Sequence, residues 1–417
     1  MSERENCDKV CLYGKGINHM RIGVYYLEST NAATELMNSA NREFLEHLSG
    51  KTGYPMELIS LEEVKGEDFP VVFIGGGGTE GRFLKALPDL KEPVFLLTTG
   101  ANNSLAASME ILSYLRQKGI PAEILHGSEE KIAERLKTLV TVFKAVKKVH
   151  SLRLGVVGKP SDWLISSDVY PLVCKSETGI ELIDIPMEEF FEEIAKKEYI
   201  ANQYTEALKA KKFHPEDTEK CLEIYGALKR LCDKYELDGV TVRCFDLLDT
   251  VHGTGCLALA ILNAEGVYAG CEGDVPSLIS MCVAGEVTGQ PVFMANPSRI
   301  ELDKNQIIFA HCTLPINMPK EYTCMTHYES GIGVGLRGTL KEGPVTIFKT
   351  SGLLDKHYVK KGELIQNLTE PTLCRTQIRI QMEPGFEDYY LKESIGNHHM
   401  IVLGDYVKEL EEFYKWF

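Results

Sequence analysis

The chain has 417 residues, with 45 Lys and Arg against 60 Asp and Glu, which gives a formal net charge of −15. Such an excess of negative charge repels phosphate backbones and anionic membrane surfaces, so we expect no nucleic-acid partner. No apolar run reaches the roughly 18 to 20 residues of a membrane-spanning helix, and the first residues are charged, so we expect neither a membrane span nor a secretion signal. The 12 cysteines include no Cys-x-x-Cys pair, which favours a reduced cytoplasmic setting.

Apolar runs and amphipathic stretches alternate from residue 20 onward, a pattern typical of β-α-β units on a parallel sheet. A chain of this length is also too long for one core of ordinary size. The pattern predicts strands at 22–26, 71–74, 94–98 and 122–125, and helices at 32–48, 79–87, 104–118 and 129–147. We therefore predict a doubly wound, Rossmann-like α/β domain over residues 1–148.

The alternation then starts again. It predicts strands at 152–157, 180–185, 240–245 and 267–270, one long charged helical region at 187–235, and helices at 256–262 and 276–287. The last of these helices has Pro276 at an early position, where proline is favoured. We predict a second doubly wound α/β domain over residues 149–289.

After Gly289 short alternating strands replace this pattern. They are predicted at 291–294, 306–310, 334–340, 344–349, 376–381 and 400–403, with a last helix at 406–414. The link Lys341-Glu342-Gly343 is interpreted as a hairpin turn between two of these strands. The sequence thus predicts a β-rich, barrel-like third domain over residues 290–417.

A glycine-rich segment, Gly75 to Gly81, follows an apolar strand and formally satisfies G-x-G-x-x-G. It lacks the Lys-Ser/Thr ending of a phosphate loop, and the next strand ends in Thr99-Gly100 instead of an acidic residue for a ribose. A tight turn or substrate-facing loop is the favoured interpretation. A phosphate role, and with it a nicotinamide-dependent oxidoreductase, is the alternative.

Two carboxylates, Glu272 and Asp274, follow the predicted strand 267–270, at the end of a strand where α/β domains bind ligands. Their spacing suits a hard cation or an acid/base pair. In the alternative interpretation Asp274 only caps the next helix and Glu272 is solvated. Arg243, at the end of another strand, is a candidate for binding an anionic substituent such as a carboxylate or sulfonate, or else belongs to a structural ion pair.

Histidines supply the candidate nitrogen ligands, since neutral imidazole suits many divalent ions. His311 ends an apolar strand, although a structural role is the alternative for it. His398 and His399 are adjacent before a strand, so their side chains diverge and at most one enters a given pocket. His327 and Glu329 line the same cleft in one interpretation and lie in a surface loop in the other.

The ordered segments Glu272-Gly273-Asp274, 291–296, Ala310-His311-Cys312 and Asn397-His398-His399 resemble the signature segments of the L-fucose/L-arabinose isomerase superfamily. Segments 76–80 and 102–105 also resemble the glycine turn and helix start in the first domain of such proteins. The resemblance covers nearly the whole chain. It implies three domains, a divalent ion of the Mn²⁺ type, with Mg²⁺ or Co²⁺ as alternatives, and homo-oligomers, trimers or hexamers, in which neighbouring subunits complete the active site.

Position by position, the resemblance implies roles for individual residues. Glu272 matches a carboxylate that binds the metal and transfers protons, and His311 matches a metal histidine of the arabinose branch. His398 or His399 matches the metal histidine of the last domain, and the preceding Asn397 favours His398. Asn296 stands where the isomerases carry a second acid, and an amide can coordinate a metal but cannot shuttle a proton. Asp274 and Glu329 are the predicted substitutes for that acid.

We therefore predict a metal-dependent aldose-ketose isomerase that acts on a sugar or sugar derivative by ene-diol proton transfer. Glu272 is the predicted base and the ion the Lewis acid; the predicted substrate contacts are Asn296, Arg243, His327, Glu329 and Asn397. Because fold does not determine function, and because of Asn296, a non-catalytic sugar-binding or regulatory protein is one alternative. Another metal-assisted carbohydrate reaction, by an epimerase or a lyase, is the other.

Overall fold

The computed structural model of the chain describes residues 21–29 and 34–417. These residues form two compact units. The smaller unit contains the described residues up to Lys144 together with 412–417, and the larger unit contains 145–411. Within the described ranges, no helix is both long enough and apolar enough to cross a membrane.

The smaller unit contains a five-stranded parallel sheet with helices on both faces. Its strands are β1 (Ile22–Leu27), β2 (Met56–Leu58), β3 (Pro70–Ile74), β4 (Val94–Leu97) and β5 (Ala122–Leu125), and its helices are α1 (Thr34–Thr52), α2 (Leu61–Val64), α3 (Glu80–Ala86), α4 (Ser104–Gln117) and α5 (Glu129–Val149). The strand order is β2-β1-β3-β4-β5. Leu45 of α1 and Leu136 of α5 are buried on one face of the sheet, and Phe83 of α3 and Ile111 of α4 on the other. Both faces are thus covered, as in a doubly wound fold.

The glycine-rich segment after β3 lies against the loop that precedes α4. The Gly77 amide donates a hydrogen bond to the Asn102 carbonyl at 2.8 Å. A Cβ added to Gly76 would lie only 2.8 Å from the Cβ of Ser29, so a larger residue has no room there. This close backbone approach agrees with the interpretation as a tight turn.

The larger unit begins with a four-stranded parallel sheet of order β7-β6-β8-β9. The strands are β6 (Arg153–Val157), β7 (Glu181–Ile185), β8 (Gly239–Val242) and β9 (Tyr268–Cys271), and the helices are α6 (Pro171–Thr178), α7 (Met187–Ala195), α8 (Gln203–Ala210), α9 (Pro215–Tyr235), α10 (Asp246–Thr250), α11 (Cys256–Ala264) and α12 (Val275–Thr288). The single helical region predicted at 187–235 is three helices. Asn202 caps α8 by accepting the amides of Tyr204 and Thr205, and Pro215 opens α9, which are both helix-start signals.

The rest of the larger unit is built around a closed antiparallel barrel of order β10-β11-β16-β15-β14-β17. The barrel strands are β10 (Phe293–Glu301), β11 (Gln306–His311), β14 (Gly343–Thr350), β15 (His357–Asn367), β16 (Thr376–Gln381) and β17 (His399–Leu403); β12 (Glu321–Met325) and β13 (Gly335–Thr339) form a separate ribbon, and α13 spans Val407–Trp416. The barrel is filled by Phe293, Phe309, Ile347, Ile378 and Ile401, which are fully buried. The predicted fold class, two parallel-sheet α/β regions and a barrel-like β region, is confirmed.

The predicted hairpin at Lys341-Glu342-Gly343 is wrong. β13 pairs with β12, whereas β14 pairs with β15 and β17. Residues 341–343 therefore connect two different sheets. β14 pairs with its neighbours in the barrel and not with the strand that precedes it in the chain.

Helix α12 connects the sheet to the barrel. It contacts β9 on one side and β14 and β17 on another, and it is buried along nearly its whole length. An apolar helix of this kind belongs inside the protein. Its first turn therefore lies where the carboxyl end of β9 meets the barrel strands.

Candidate active site at the sheet and barrel junction

The turn from β9 into α12 holds the backbone in an unusual conformation. Glu272 and Gly273 both have positive φ, at 63° and 69°. The Glu272 carbonyl accepts the Ser161 amide, and the Gly273 amide donates to the Val242 carbonyl, each at 2.9 Å. A left-handed non-glycine residue costs roughly 1–3 kcal/mol and is often found at functional sites. The turn therefore holds the Glu272 side chain in a defined position.

Gly273→Ala is expected to destabilise the protein more than Gly289→Ala. A Cβ at Gly273 would lie 2.4 Å from the Lys159 carbonyl oxygen, whereas Gly289, with φ of 63°, has no neighbouring atom within 4 Å. We expect Gly289→Ala to cost about 1 kcal/mol for the left-handed backbone alone and Gly273→Ala about 3 kcal/mol. Urea unfolding followed by circular dichroism measures both, and equal losses would contradict the steric role of Gly273.

Glu272 faces His398 inside the protein. His398 is fully buried, and Glu272 is 9% exposed. The His398 Nε2 lies 3.6 Å from one Glu272 oxygen and has no hydrogen-bond partner among residues 21–29 and 34–417. The other Glu272 oxygen accepts the Trp163 indole N–H at 2.6 Å. The predicted convergence of an acid after β9 and a histidine before β17 is present in the structure.

Asp274 fixes the other side of the His398 ring. The His398 Nδ1 donates to Asp274 Oδ2 at 2.8 Å, which leaves Nε2 directed toward Glu272. Asp274 also caps α12, because its Oδ1 accepts the Ser277 amide at 2.9 Å. A carboxylate on the far nitrogen is how metal-binding histidines are commonly oriented.

The charges in this cluster reinforce one another. Burial lowers the pKa of His398, but the hydrogen bond to Asp274 and the charge of Glu272 outweigh it and raise the pKa to about 9. Burial raises the pKa of Asp274, but Lys349 and His398 hold it well below its usual range. The pKa of Glu272 is likewise lowered, because His398 outweighs the effect of burial. Both carboxylates are therefore ionised at neutral pH.

His311 and Cys271 complete a candidate metal site. Cys271, Glu272 and His311 each offer a ligand atom, and these three atoms lie within 4.8 Å of one another. His311 is buried, and its ring lies 5.2 Å from that of His398. Burial and the charge of His398 lower the pKa of His311 to about 3, so its imidazole is neutral. A carboxylate, a neutral imidazole and a thiol fit a divalent transition metal.

His399 points away from this cluster. Its Nδ1 donates to the Asn397 carbonyl at 2.9 Å, and its Nε2 lies 3.0 Å from the Tyr389 hydroxyl. The ring is fully buried and contacts Tyr358 and Tyr390. Both nitrogens are thus engaged in the barrel wall, while His398 keeps one nitrogen free.

Asn296 and Asn397 lie next to each other, because the Asn397 amide donates to the Asn296 side-chain oxygen at 3.3 Å. The strand predicted at 291–294 is longer in the structure, since β10 continues through Asn296 to Glu301. The residues of β10 beyond Asn296 pair with β11, and this pairing extends β10 to Glu301. Asn397 is exposed and Asn296 is half-buried, so both side chains remain accessible.

Each nitrogen of the Arg243 guanidinium has a hydrogen-bond partner within the protein. It donates to the Asp246 carboxylate at 3.1 Å, to the Pro160 carbonyl at 2.7 Å and to Asp162 at 2.9 Å. These are the structural ion pairs that the sequence left open as an alternative. They hold the loop that carries Trp163 to the Glu272 carboxylate.

His327 and Glu329 lie in the loop between β12 and β13. His327 is buried, bonds Ser330 through Nδ1 at 2.9 Å and packs against Phe245. Burial and the nearby Arg375 lower its pKa. Glu329 is exposed, yet partial burial and the charge of Glu272 raise its pKa. The loop therefore brings the neutral imidazole of His327 and the weak acid Glu329 close enough to Glu272 for its charge to affect their pKa values.

Four residues of this region were not predicted: Cys271, Trp163, Ser277 and Lys349. Cys271 is the last residue of β9, and Trp163 lies in the segment after β6; a position at the carboxyl end of a strand is the signal that could have pointed to them. Ser277 and Lys349 have no comparable signal in the sequence.

No family model matches the chain. The chain is similar to proteins named sulfoquinovose isomerase. The protein of Priestia aryabhattai is 26% identical over 384 residues, which cover 84% of this chain and 85% of the relative. That of Alkalicoccus urumqiensis is 23% identical over 416 residues, covering 87% and 89%. These relatives support the prediction that the chain is an enzyme of the isomerase class. Membership of the L-fucose/L-arabinose isomerase superfamily, a homo-oligomer and a cytoplasmic location stay predictions.

Proposed function

We propose that this chain is a metal-dependent aldose-ketose isomerase acting on a sulfonated sugar. The relatives named sulfoquinovose isomerase support both the reaction and the sulfonated substrate. The single observation that carries the metal dependence is the His398 Nε2, which is buried without a hydrogen-bond partner among the described residues and lies 3.6 Å from Glu272. A buried ring nitrogen without a hydrogen-bond partner is expensive to keep unless it binds a ligand, and a metal ion would take the place of the ring proton there.

The proposed metal ligands are Glu272, His398 and His311, with Cys271 beside them. Mn²⁺ is the proposed ion, because the resemblance to the isomerases implies it and a carboxylate ligand suits it; Mg²⁺ and Co²⁺ are the other candidates. When bound, such an ion supplies Lewis-acid stabilisation of negative charge on the sugar oxygens. His399 is left out, since both of its ring nitrogens have partners.

Glu272 is the proposed base that moves the proton between C1 and C2 of the sugar. Its lowered pKa keeps it ionised, and the bond from Trp163 orients one oxygen. Asp274 is a weaker candidate for proton transfer, because Ser277 and His398 engage both of its oxygens. Glu329, whose pKa is raised, is therefore the proposed acid in place of the carboxylate that Asn296 lacks.

The proposed sugar contacts are Asn296, Asn397 and His327, whose polar groups lie in the β-rich region. Arg243 is proposed to hold the Trp163 loop and not the sulfonate, because each of its nitrogens already has a partner and two of these partners are carboxylates. Arg375 is the proposed sulfonate contact. It bonds Thr326, and no carboxylate in the described part of the chain lies within ion-pair distance of it. A planar guanidinium suits an oxyanion of this kind.

The test is turnover by the purified protein. We expect the Mn²⁺-loaded protein to interconvert sulfoquinovose and its ketose in deuterated water, with loss of the C2 proton signal in the ¹H NMR spectrum. Glucose, which lacks the sulfonate, is the matched substrate and is expected to react far more slowly. Thermal stabilisation by the sugar without turnover would favour the non-catalytic alternative, and inversion or cleavage at another carbon would favour an epimerase or a lyase.

A further inference from the structure

A line of four buried polar side chains runs from the barrel wall to the candidate metal ligand. The Lys349 ammonium donates to the Ser277 hydroxyl at 2.7 Å. That hydroxyl donates to Asp274 Oδ2 at 2.7 Å, and the same oxygen accepts the His398 Nδ1–H at 2.8 Å. Lys349 and Asp274 are each 1% exposed, and Ser277 and His398 are fully buried. Every donor and acceptor in the line therefore depends on its neighbour, because water does not reach it.

The line joins elements that are far apart in the chain. Lys349 lies near the end of β14, Ser277 in the first turn of α12, and His398 directly before β17. β14 and β17 are paired, with Phe348 opposite Met400, so the barrel brings Lys349 and His398 to the same end of two neighbouring strands. The helix supplies the two groups between them.

Lys349 is a costly residue at this position. Taking an ammonium group out of water costs several kcal/mol unless it is paired and hydrogen-bonded. An apolar side chain would fill the same place in the barrel wall without that cost. The carboxylate of Asp274, reached through Ser277, is the group that compensates the buried charge.

Joining α12 to β14 does not require this line. Ser280, one turn further along α12, already does so, because its hydroxyl lies within hydrogen-bond distance of the Pro276 and Thr350 carbonyls and accepts the Thr350 amide at 3.0 Å. Ser280 is as buried as Ser277 and makes no bond to Asp274. Ser277 differs from Ser280 in one respect. Its hydroxyl also bonds Asp274, the carboxylate that accepts the His398 Nδ1–H.

We propose that Lys349 and Ser277 are positioning residues for His398, which they serve by holding Asp274 in the orientation that directs the His398 Nε2 toward Glu272. The inference rests on the proposed function, in which His398 binds the metal. Carboxylates that orient a metal-binding histidine contribute roughly ten- to a hundredfold to metal affinity. Lys349 and Ser277 act one step further away, through that carboxylate.

The test compares Ser277→Ala and Lys349→Met with Ser280→Ala as the matched control. Mn²⁺ dissociation constants come from the electron paramagnetic resonance signal of free Mn²⁺, and kcat and KM from turnover of sulfoquinovose. We expect Ser277→Ala and Lys349→Met each to weaken Mn²⁺ binding by about tenfold and to lower kcat at saturating sugar. Ser280→Ala is expected to lower the melting temperature while Mn²⁺ affinity stays within about twofold of the wild type.

The outcomes separate the two proposals. If the wild type binds Mn²⁺ and turns over sugar while Ser277→Ala matches Ser280→Ala in affinity, the positioning role is wrong and the proposed function stands. If the wild type binds no divalent ion, the metal-dependent function is wrong and the positioning role falls with it. Should either variant fail to fold, the other still decides. Ser277→Ala keeps both charged groups and removes only the hydroxyl between them, whereas Lys349→Met removes the buried ammonium and keeps the bond from Ser277 to Asp274.

Discussion

Glu272→Gln is expected to lower kcat for the sugar by at least about a thousandfold, since a base contributes roughly 10² to 10⁴ in rate and this residue is also a proposed metal ligand. Glutamine keeps the size of the side chain and can still accept the Trp163 indole N–H. In the wild type the indole nitrogen lies 2.6 Å from a Glu272 carboxylate oxygen. It cannot take a proton from carbon. The measurement is steady-state turnover of sulfoquinovose by the Mn²⁺-loaded protein, alongside Mn²⁺ binding.

Glu286→Gln is the matched control for this substitution. Glu286 lies near the other end of α12, where its carboxylate accepts the Tyr268 hydroxyl at 2.9 Å and burial raises its pKa. Removing its charge alters a half-buried carboxylate in the same unit without touching the candidate site. We expect its kcat to stay within about twofold of the wild type. Unchanged turnover in Glu272→Gln would mean that another group moves the proton.

Much of the fold could be predicted from the sequence, because apolar residues recur with a clear period in each region. β5 and β16 were predicted with the residues that they have in the structure, Ala122–Leu125 and Thr376–Gln381. β15 was missed, although it has 11 residues, because Lys360, Lys361 and Glu363 interrupt its apolar pattern. All three side chains are exposed, and main-chain pairing with β14 and β16 forms the strand.

The candidate site was predictable only in part. The resemblance to the isomerases indicated Glu272, His311 and His398, and these three residues do lie together. Lys349 ends a predicted strand, where a lysine normally reaches solvent. It is buried because α12 covers the barrel at that point, and no local pattern in the sequence encodes such a contact.

His398→Gln is expected to weaken Mn²⁺ binding by at least about a hundredfold and to abolish measurable turnover, because it removes a proposed ligand from a fully buried position. Glutamine can still donate a hydrogen bond toward Asp274, which limits the cost of leaving that carboxylate without its partner. Breaking a buried pair altogether costs about 3–5 kcal/mol, so we expect a smaller loss of stability than in His398→Ala. Mn²⁺ titration and urea unfolding measure the two effects separately.

The control for a general loss of a histidine is His357→Gln, since His357 lies at the start of β15 and faces Glu411 at 3.2 Å, outside the candidate site. We expect it to bind Mn²⁺ as the wild type does. The comparison is decisive because a metal held by Glu272, His311 and Cys271 alone would leave His398→Gln with nearly full affinity. In that case the unpartnered Nε2 serves something other than the metal, and the site would have the three ligands whose atoms already lie within 4.8 Å of one another.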